Sequence, residues 1–330
     1  MTSANLVEIW RGSHLESLHR GHAVICDAKG AVLESWGDPD KLIYPRSSCK
    51  MLQALPLVES GAADKFGLRA PDLALACASH SGASIHTDHV ASWLAQLGLS
   101  ETSFKCGPQE PSDTRARDAL IKAGQEPSRR HNNCSGKHCG FLTLSQHIAA
   151  GPDYVDIDHP VQRAVKDVIE EMTGIAAPGY GIDGCSAPNF LTTVTGLARA
   201  MALMTRTGRS ARAVASQALI EAMMLYPEKV AGEGRACTEL MRACGGKAAI
   251  KYGAEAVYVA ILPEKKVGIA LKIEDGSRRA AEAAIAGLLT KYGALEAEHP
   301  TAKKYTYGPI QNWDGLVTGY RRFSDGFLPN

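Results

Sequence analysis

The sequence predicts an α/β (α+β) fold, with an antiparallel sheet formed by both chain ends, flanking helices and a helical lobe between. Three observations predict it. Near the start, Val7-Glu8-Ile9-Trp10, His22-Ala23-Val24-Ile25-Cys26 and Ala31-Val32-Leu33-Glu34-Ser35-Trp36 are short apolar runs. The last two flank Asp27-Ala28-Lys29-Gly30 and read as a hairpin. Near the end, residues 256–262 and 267–273 flank Pro263-Glu264-Lys265-Lys266 and read as a second hairpin. Between them, apolar residues recur at helical spacing. No repeat or low-complexity linker interrupts the chain, so residues 1–330 are expected to form a single domain, its helical lobe at roughly 70–250.

The elements follow in order. Pro45 has a fixed φ that suits a helix start, and Leu52, Leu55 and Leu57 follow it. A helix of about four turns is expected from there, stopped by Gly61. Residues 72–77 are rich in Ala and Leu and break at Ser79-His80-Ser81-Gly82. Further helices are predicted at 87–97, 116–123, 161–172, 211–224, 236–243 and 277–292, the last with Ser277 as its cap. An apolar helix runs from the 131–140 cluster through Phe141 and Leu144, residues 176–188 are rich in Gly and Pro, and 190–204 alternates loosely.

Composition sets outer bounds. A formal charge of +1 with scattered Lys and Arg argues against a nucleic-acid or membrane-surface field. No stretch approaches a membrane span, and the first residues lack the pattern of a signal peptide. Nine cysteines without framework spacing are expected as reduced thiols in the cytoplasm.

Chemistry concentrates in a few places. Ser47-Ser48-Cys49-Lys50 places Ser47 and Lys50 three apart, on one face of a helix, so that the Lys50 amine could reach the Ser47 hydroxyl. A serine needs such a base, and a lysine serves only if its pKa falls from about 10.4. The alternative is an N-cap serine beside a solvated lysine. Serine acyl transferases of the β-lactamase and penicillin-binding type carry Ser-x-x-Lys, then Ser-x-Asn, then Lys-x-Gly on a strand. Ser47 to Lys50, Ser79-His80-Ser81 and Lys251-Tyr252-Gly253 follow that order, with Ser81 in place of Asn. Two couples result, Ser47 with Lys50 and Ser79 with Lys251. A second cluster holds Cys134, Lys137, His138 and Cys139, with Cys185 further on. It reads either as sulfur ligands for a metal or as free thiols near a helix start. Gly179-Tyr180-Gly181-Ile182-Asp183-Gly184 lacks the strand and helix of a dinucleotide site and reads as a tight loop placing Asp183 and Cys185. His80, His86 and His89 read as hydrogen-bonding histidines, and Met201, Met204, Met223 and Met224 as core.

Pro45-Arg46-Ser47-Ser48-Cys49-Lys50, Cys77-Ala78-Ser79-His80, residues 131–138, residues 181–188 and residues 246–253 together resemble the class 3, Rhizobium-type L-asparaginases. The resemblance spans about 5 to 325. It implies a β-lactamase/penicillin-binding-like fold, a homodimer, and hydrolysis of L-asparagine to L-aspartate and ammonia. It also implies that Ser47, Lys50, Ser79 and Lys251 are catalytic. Cys134, Lys137 and Cys185 would hold one zinc ion beside the substrate, orienting its α-amino and α-carboxylate groups. Arg46, His138 and Asp183 would lie around the substrate. The expected mechanism is acyl transfer, with Ser47 favoured as nucleophile and like-charge repulsion lowering the amine pKa values. The alternatives are a β-lactamase- or amidase-like hydrolase of another amide, and a non-enzymatic zinc or ligand-binding protein.

Overall fold

The two ends of the chain meet in one sheet. The computed structural model describes residues 2–329. Its main sheet has eight strands: β1 Ala4–Arg11, β2 His14–Asp27, β3 Val32–Trp36, β4 Ala249–Gly253, β5 Val257–Leu262, β6 Val267–Ile273, β7 Ile310–Gln311 and β8 Val317–Phe323. The order is β7-β8-β1-β2-β6-β5-β4, with β3 also on β2, and every pair is antiparallel. The first hairpin closes through Asp27, whose Oδ1 accepts the Lys29 and Ala31 N–H groups at 2.8 and 2.9 Å. The strand β2 is longer than the apolar run that announced it, because residues 14–20 pair with β1 while showing much of their surface to water.

The helices used below are α1 Lys50–Glu59, α2 Ala70–Ala76, α3 Ser135–His147, α4 Val194–Leu203, α5 Ala211–Leu225 and α6 Arg278–Lys291. The strands β5 and β6 are buried along almost their whole length. The helix α4 packs on β2, β5 and β6, and α6 packs on β1, β5 and β6. In the lobe, α1 and α2 pack on each other and on both α3 and α5. Buried apolar residues form a contiguous core from the sheet into the lobe.

Three local expectations are corrected. The helix after Pro45 starts later: Arg46–Cys49 is a 3-10 turn, and the α-helix begins at Lys50. Arg46 has a φ of +53°, which no α-helix accommodates. Residues 194–203, read as loosely alternating, are helical, capped by the Thr193 hydroxyl on the Gly196 N–H at 2.9 Å. Ser277 stands at the start of α6 but makes no capping bond; its own N–H goes to Asp275. Met201, Met204 and Met223 are core residues, and Met224 packs against the core.

Candidate active site

Three segments bring their polar side chains together. The turn Arg46–Cys49 and the first residue of α1 carry Ser47 and Lys50. The loop after α2 carries Ser79. The edge strand β4 carries Lys251. Gly253 lets β4 and the turn touch: a Cβ there would meet the Pro45 carbonyl oxygen at 2.6 Å and the Ser48 nitrogen at 2.9 Å. This is the layout of the β-lactamase/penicillin-binding-like expectation, with the Lys-x-Gly strand at the sheet edge beside the Ser-x-x-Lys turn.

Ser79 is the hydroxyl on which the amines converge. Its Oγ accepts from Lys50 Nζ at 3.0 Å and from Lys251 Nζ at 2.9 Å. Both lysines are buried. Burial, and then the Lys50 charge, pushes the Lys251 pKa down to about 7. Lys50 also donates to the Ala78 carbonyl and to Cys134 Sγ, the latter at 3.1 Å.

The expected Ser47–Lys50 contact is corrected: no hydrogen bond joins them among the described residues, because the end of α2 supplies Lys50 with Ala78 and Ser79 instead. Ser47 sits half-buried, behind a left-handed Arg46 that costs on the order of 1–2 kcal/mol.

Ser47 and Ser79 line one cavity of about 400 Å³, whose walls include Tyr252, Arg235, Arg278 and Glu255. Sequence reading missed these four. They are solitary residues without a motif, and only the neighbourhood of Lys251 hinted at Tyr252.

The cysteine cluster lies behind Lys50. A Cβ at Gly136 would meet the Leu75 carbonyl oxygen at 2.3 Å, so glycine lets α3 press against α2. Cys134, at the N-cap of α3, therefore sits against Lys50, with Lys137 in the first turn of the same helix. Lys137 Nζ donates to Cys185 Sγ at 3.0 Å. The Cys185 thiol is held well below its usual range by a hydrogen bond from Cys134 and, against burial, by the Lys137 charge. Cys134 stays the thiol of the pair, raised by the same bond and by burial. For Lys137, burial is outweighed by the two sulfurs and Asp183, so the amine stays protonated.

The loop at 179–188 is a tight hairpin, as read. Tyr180–Ile182 pairs with Pro188–Phe190, Ser186 N–H reaches Asp183 O at 2.8 Å, and Ser186 has a φ of +70°. Asp183 Oδ1 accepts from Arg46 Nη2 at 2.8 Å and Nε at 3.1 Å. Arg46 and Asp183 thus hold each other. His138 Nδ1 meets Tyr154 OH at 2.8 Å, and its ring also faces the Cys185 sulfur, helping to hold that thiol low. None of Cys134, Lys137, Cys185, Arg46, His138 and Asp183 lines the 400 Å³ cavity.

Among the described residues, no three His, Cys, Asp or Glu side chains cluster as a metal site, so the fit to a metal depends on lysine as a donor. His80 bonds Ser135 Oγ at 2.8 Å, His86 the Glu228 carbonyl at 2.8 Å and His89 Asp72 at 2.6 Å.

A hydroxyl held between two buried lysine amines, at a cavity beside an edge strand, has the groups that nucleophilic attack on a carbonyl needs. A family model described as L-asparaginase II matches residues 7–323, and the chain belongs to that family. No curated protein matches the chain. Among solved structures, Mglu in its native form is 14% identical with a TM-score of 0.47; 85% of this chain and 66% of that one are covered. For Mglu in its tris and glutamate form the covered shares are 84% and 60%, so this chain spans two thirds or less of those proteins. A class C β-lactamase is 14% identical, with a TM-score of 0.41 and coverage of 79% and 89%. A β-lactamase from Mycobacterium bovis is 11% identical, with a TM-score of 0.35 and coverage of 82% and 94%.

Proposed function

We propose that this protein is an L-asparagine amidohydrolase working by acyl transfer to serine. The observation that carries the proposal is Ser79 Oγ, placed between Lys50 Nζ and Lys251 Nζ at 3.0 and 2.9 Å. Neutral Lys251 takes the Ser79 proton, and Ser79 Oγ attacks the side-chain amide carbon of the substrate. Lys251 returns the proton to the departing nitrogen, and ammonia leaves. Water then cleaves the β-aspartyl ester and frees L-aspartate.

Ser47 has a specific observation in its favour as well, the strained Arg46 that holds it at the cavity. It becomes the nucleophile only if Lys50 lets go of Ser79 and Ala78. The experiment is ammonia release from asparagine, glutamine and small amides, followed by peptide mapping of the acylated serine. An adduct on Ser79 supports the arrangement drawn here, and one on Ser47 transfers the role. Absence of ammonia from asparagine, with a nitrocefin assay positive, would replace the reading by a β-lactamase-like one.

One zinc ion per chain, held by Cys134, Lys137 and Cys185 with Asp183 and His138 beside it, is part of the proposal. Cys185 Sγ contacts Lys137 Nζ at 3.0 Å and pairs with Cys134, and these sulfur and nitrogen donors would fit zinc if the ion displaced the Lys137 proton. When bound, zinc supplies Lewis-acid positive charge beside the serine–lysine group. Metal content of protein purified without chelator, and its loss in Cys185→Ser, tests this. The family reading further carries a homodimer, which light scattering checks, and a cytoplasmic location. Among the described residues no helix is long and apolar enough to cross a membrane.

A further inference from the structure

The walls of the cavity carry charges that the proton transfers do not use. Arg235, half-buried just before the helix Ala236–Ala243, lines the cavity and also a small pocket of about 20 Å³ shared with Ser79, Lys251 and Tyr252. Its guanidinium makes no hydrogen bond or ion pair among the described residues. Glu282, in the same small pocket, feels its charge without bonding to it. A partly desolvated guanidinium has five donors and no acceptor of its own, so it leaves room for a ligand that brings acceptors. Arg278 adds a second cation on the same wall, 5.2 Å from the centre of the Tyr252 ring.

Negative charge lines the same cavity at the exposed Glu110 and at Glu255, the latter in the turn between β4 and β5. Glu255 and Ala256 have φ of +60° and +58°, where hairpins ordinarily use Gly, Asn or Asp. The strain is kept where it sets a side chain over the cavity. The Glu255 carboxylate lies against Gly276, at the cavity wall, and makes no ion pair among the described residues.

We propose that Arg235, supported by Arg278, binds the α-carboxylate of the substrate and that Glu255 binds its α-ammonium group. The cavity then selects free, zwitterionic α-amino acid amides over the same amide inside a peptide. This rests on the amidohydrolase reading, and it assigns the α-groups to the cavity walls rather than to zinc.

The test compares L-asparagine with L-asparagine amide, which lacks the carboxylate, and with succinamic acid, which lacks the ammonium. Arg235→Gln is expected to raise KM for L-asparagine about 10- to 100-fold, as for loss of a charged hydrogen-bonded pair, with kcat changed only a few-fold. It should leave KM for L-asparagine amide unchanged, so the wild-type preference for the free acid disappears. Glu255→Gln should do the same against succinamic acid. Arg279→Gln, whose side chain bonds His19 instead, is the control with unchanged constants.

Equal losses on both substrates in Arg235→Gln mean a structural effect and overturn the proposal. So does an unchanged KM, or a preference erased by chelation rather than by the substitution. Calorimetric binding of L-aspartate separates the two readings. If wild-type protein binds it in an Arg235-dependent way but releases no ammonia from asparagine, the subsite stands and the hydrolase reading falls. If it releases ammonia and Arg235→Gln binds L-aspartate as well as wild type, the subsite falls alone.

Discussion

Lys251 and Lys50 share one hydroxyl, and that sharing sets the pH behaviour of the site. Lys251 titrates at about 7 in the folded protein, because burial and the Lys50 charge disfavour its cation. An unfolded lysine titrates near about 10.4. The base in the proposed mechanism is the neutral amine. Activity (kcat/KM for asparagine) should therefore rise with pH through a midpoint near 7 and be lost below it. A limb absent, or lying above pH 9, would remove Lys251 as the base. The stability sign is the same. Between pH 7 and about 10.4 the unfolded chain binds the extra proton, so this group's contribution grows as pH rises and is lost as pH falls through 7. In Lys251→Met the unfolding midpoint should lack that rise. Ser79→Ala should lower kcat at least about 1,000-fold, as loss of a nucleophile does, with the fold kept by circular dichroism. Sequence spacing named Ser47, Lys50, Ser79 and Lys251 and paired Ser79 with Lys251, which the structure joins at 2.9 Å, but it gave Lys50 to Ser47 rather than to Ser79. The partner of Lys50 depends on where α2 ends, which is a tertiary fact. Arg235 and Glu255 were invisible for a simpler reason: a lone charge in a loop carries no pattern.

At the scale of elements, the site depends on how closely the Arg46–Cys49 turn approaches the edge strand. Gly253 is the point of contact, with no space for a methyl between β4 and the Pro45 carbonyl. Gly253→Ala should displace the turn. Overpacking of this kind costs roughly 1–3 kcal/mol, and a shift of about 1 Å in a reacting group can lower the rate about 100-fold. A melting temperature several degrees lower, with kcat reduced more than KM is raised, is the expected outcome. Wild-type constants in that variant would show that the turn is not fixed by β4. The Lys-x-Gly spacing pointed to this glycine, and the two hairpins were legible because Asp27 and Pro263 close turns between short apolar runs. The helix α4 was not legible. Its small and apolar residues are buried almost all round, so neither period stands out in the sequence. The late start of α1 was hidden too, since φ at Arg46 is set by contacts with Asp183 and β4 rather than by its own preference.

At the scale of the molecule, the sheet joins strands more than 300 residues apart. No local pattern reveals that β1 lies between β2 and β8; the reading of both chain ends in one sheet came from their shared hairpin character. The closure is substantial. Val7 pairs with Phe323 and Trp10 with Tyr320, whose ring stacks on the indole at 6.3 Å. Glu8 accepts from Arg322 at 2.7 Å, and Trp36 Nε1 donates to the Gly326 carbonyl at 3.0 Å. Phe323, Phe327 and Leu328 are buried. Each such side chain contributes about 1.5–3 kcal/mol, against a net stability of about 5–15 kcal/mol for a domain. Removal of residues 309–330 would also leave β1 as an open edge, a template for pairing with other chains. The truncated chain is therefore expected in the insoluble fraction, or with its near-ultraviolet circular dichroism collapsed, although it keeps all four serine and lysine residues. Trp313→Ser, at a fully exposed position in the β7–β8 turn, should leave melting unchanged. A truncated chain that melts like wild type would mean that β8 only covers a sheet the remaining strands already hold together. The geometry of Ser79 and Lys251 would then owe nothing to the far end of the chain.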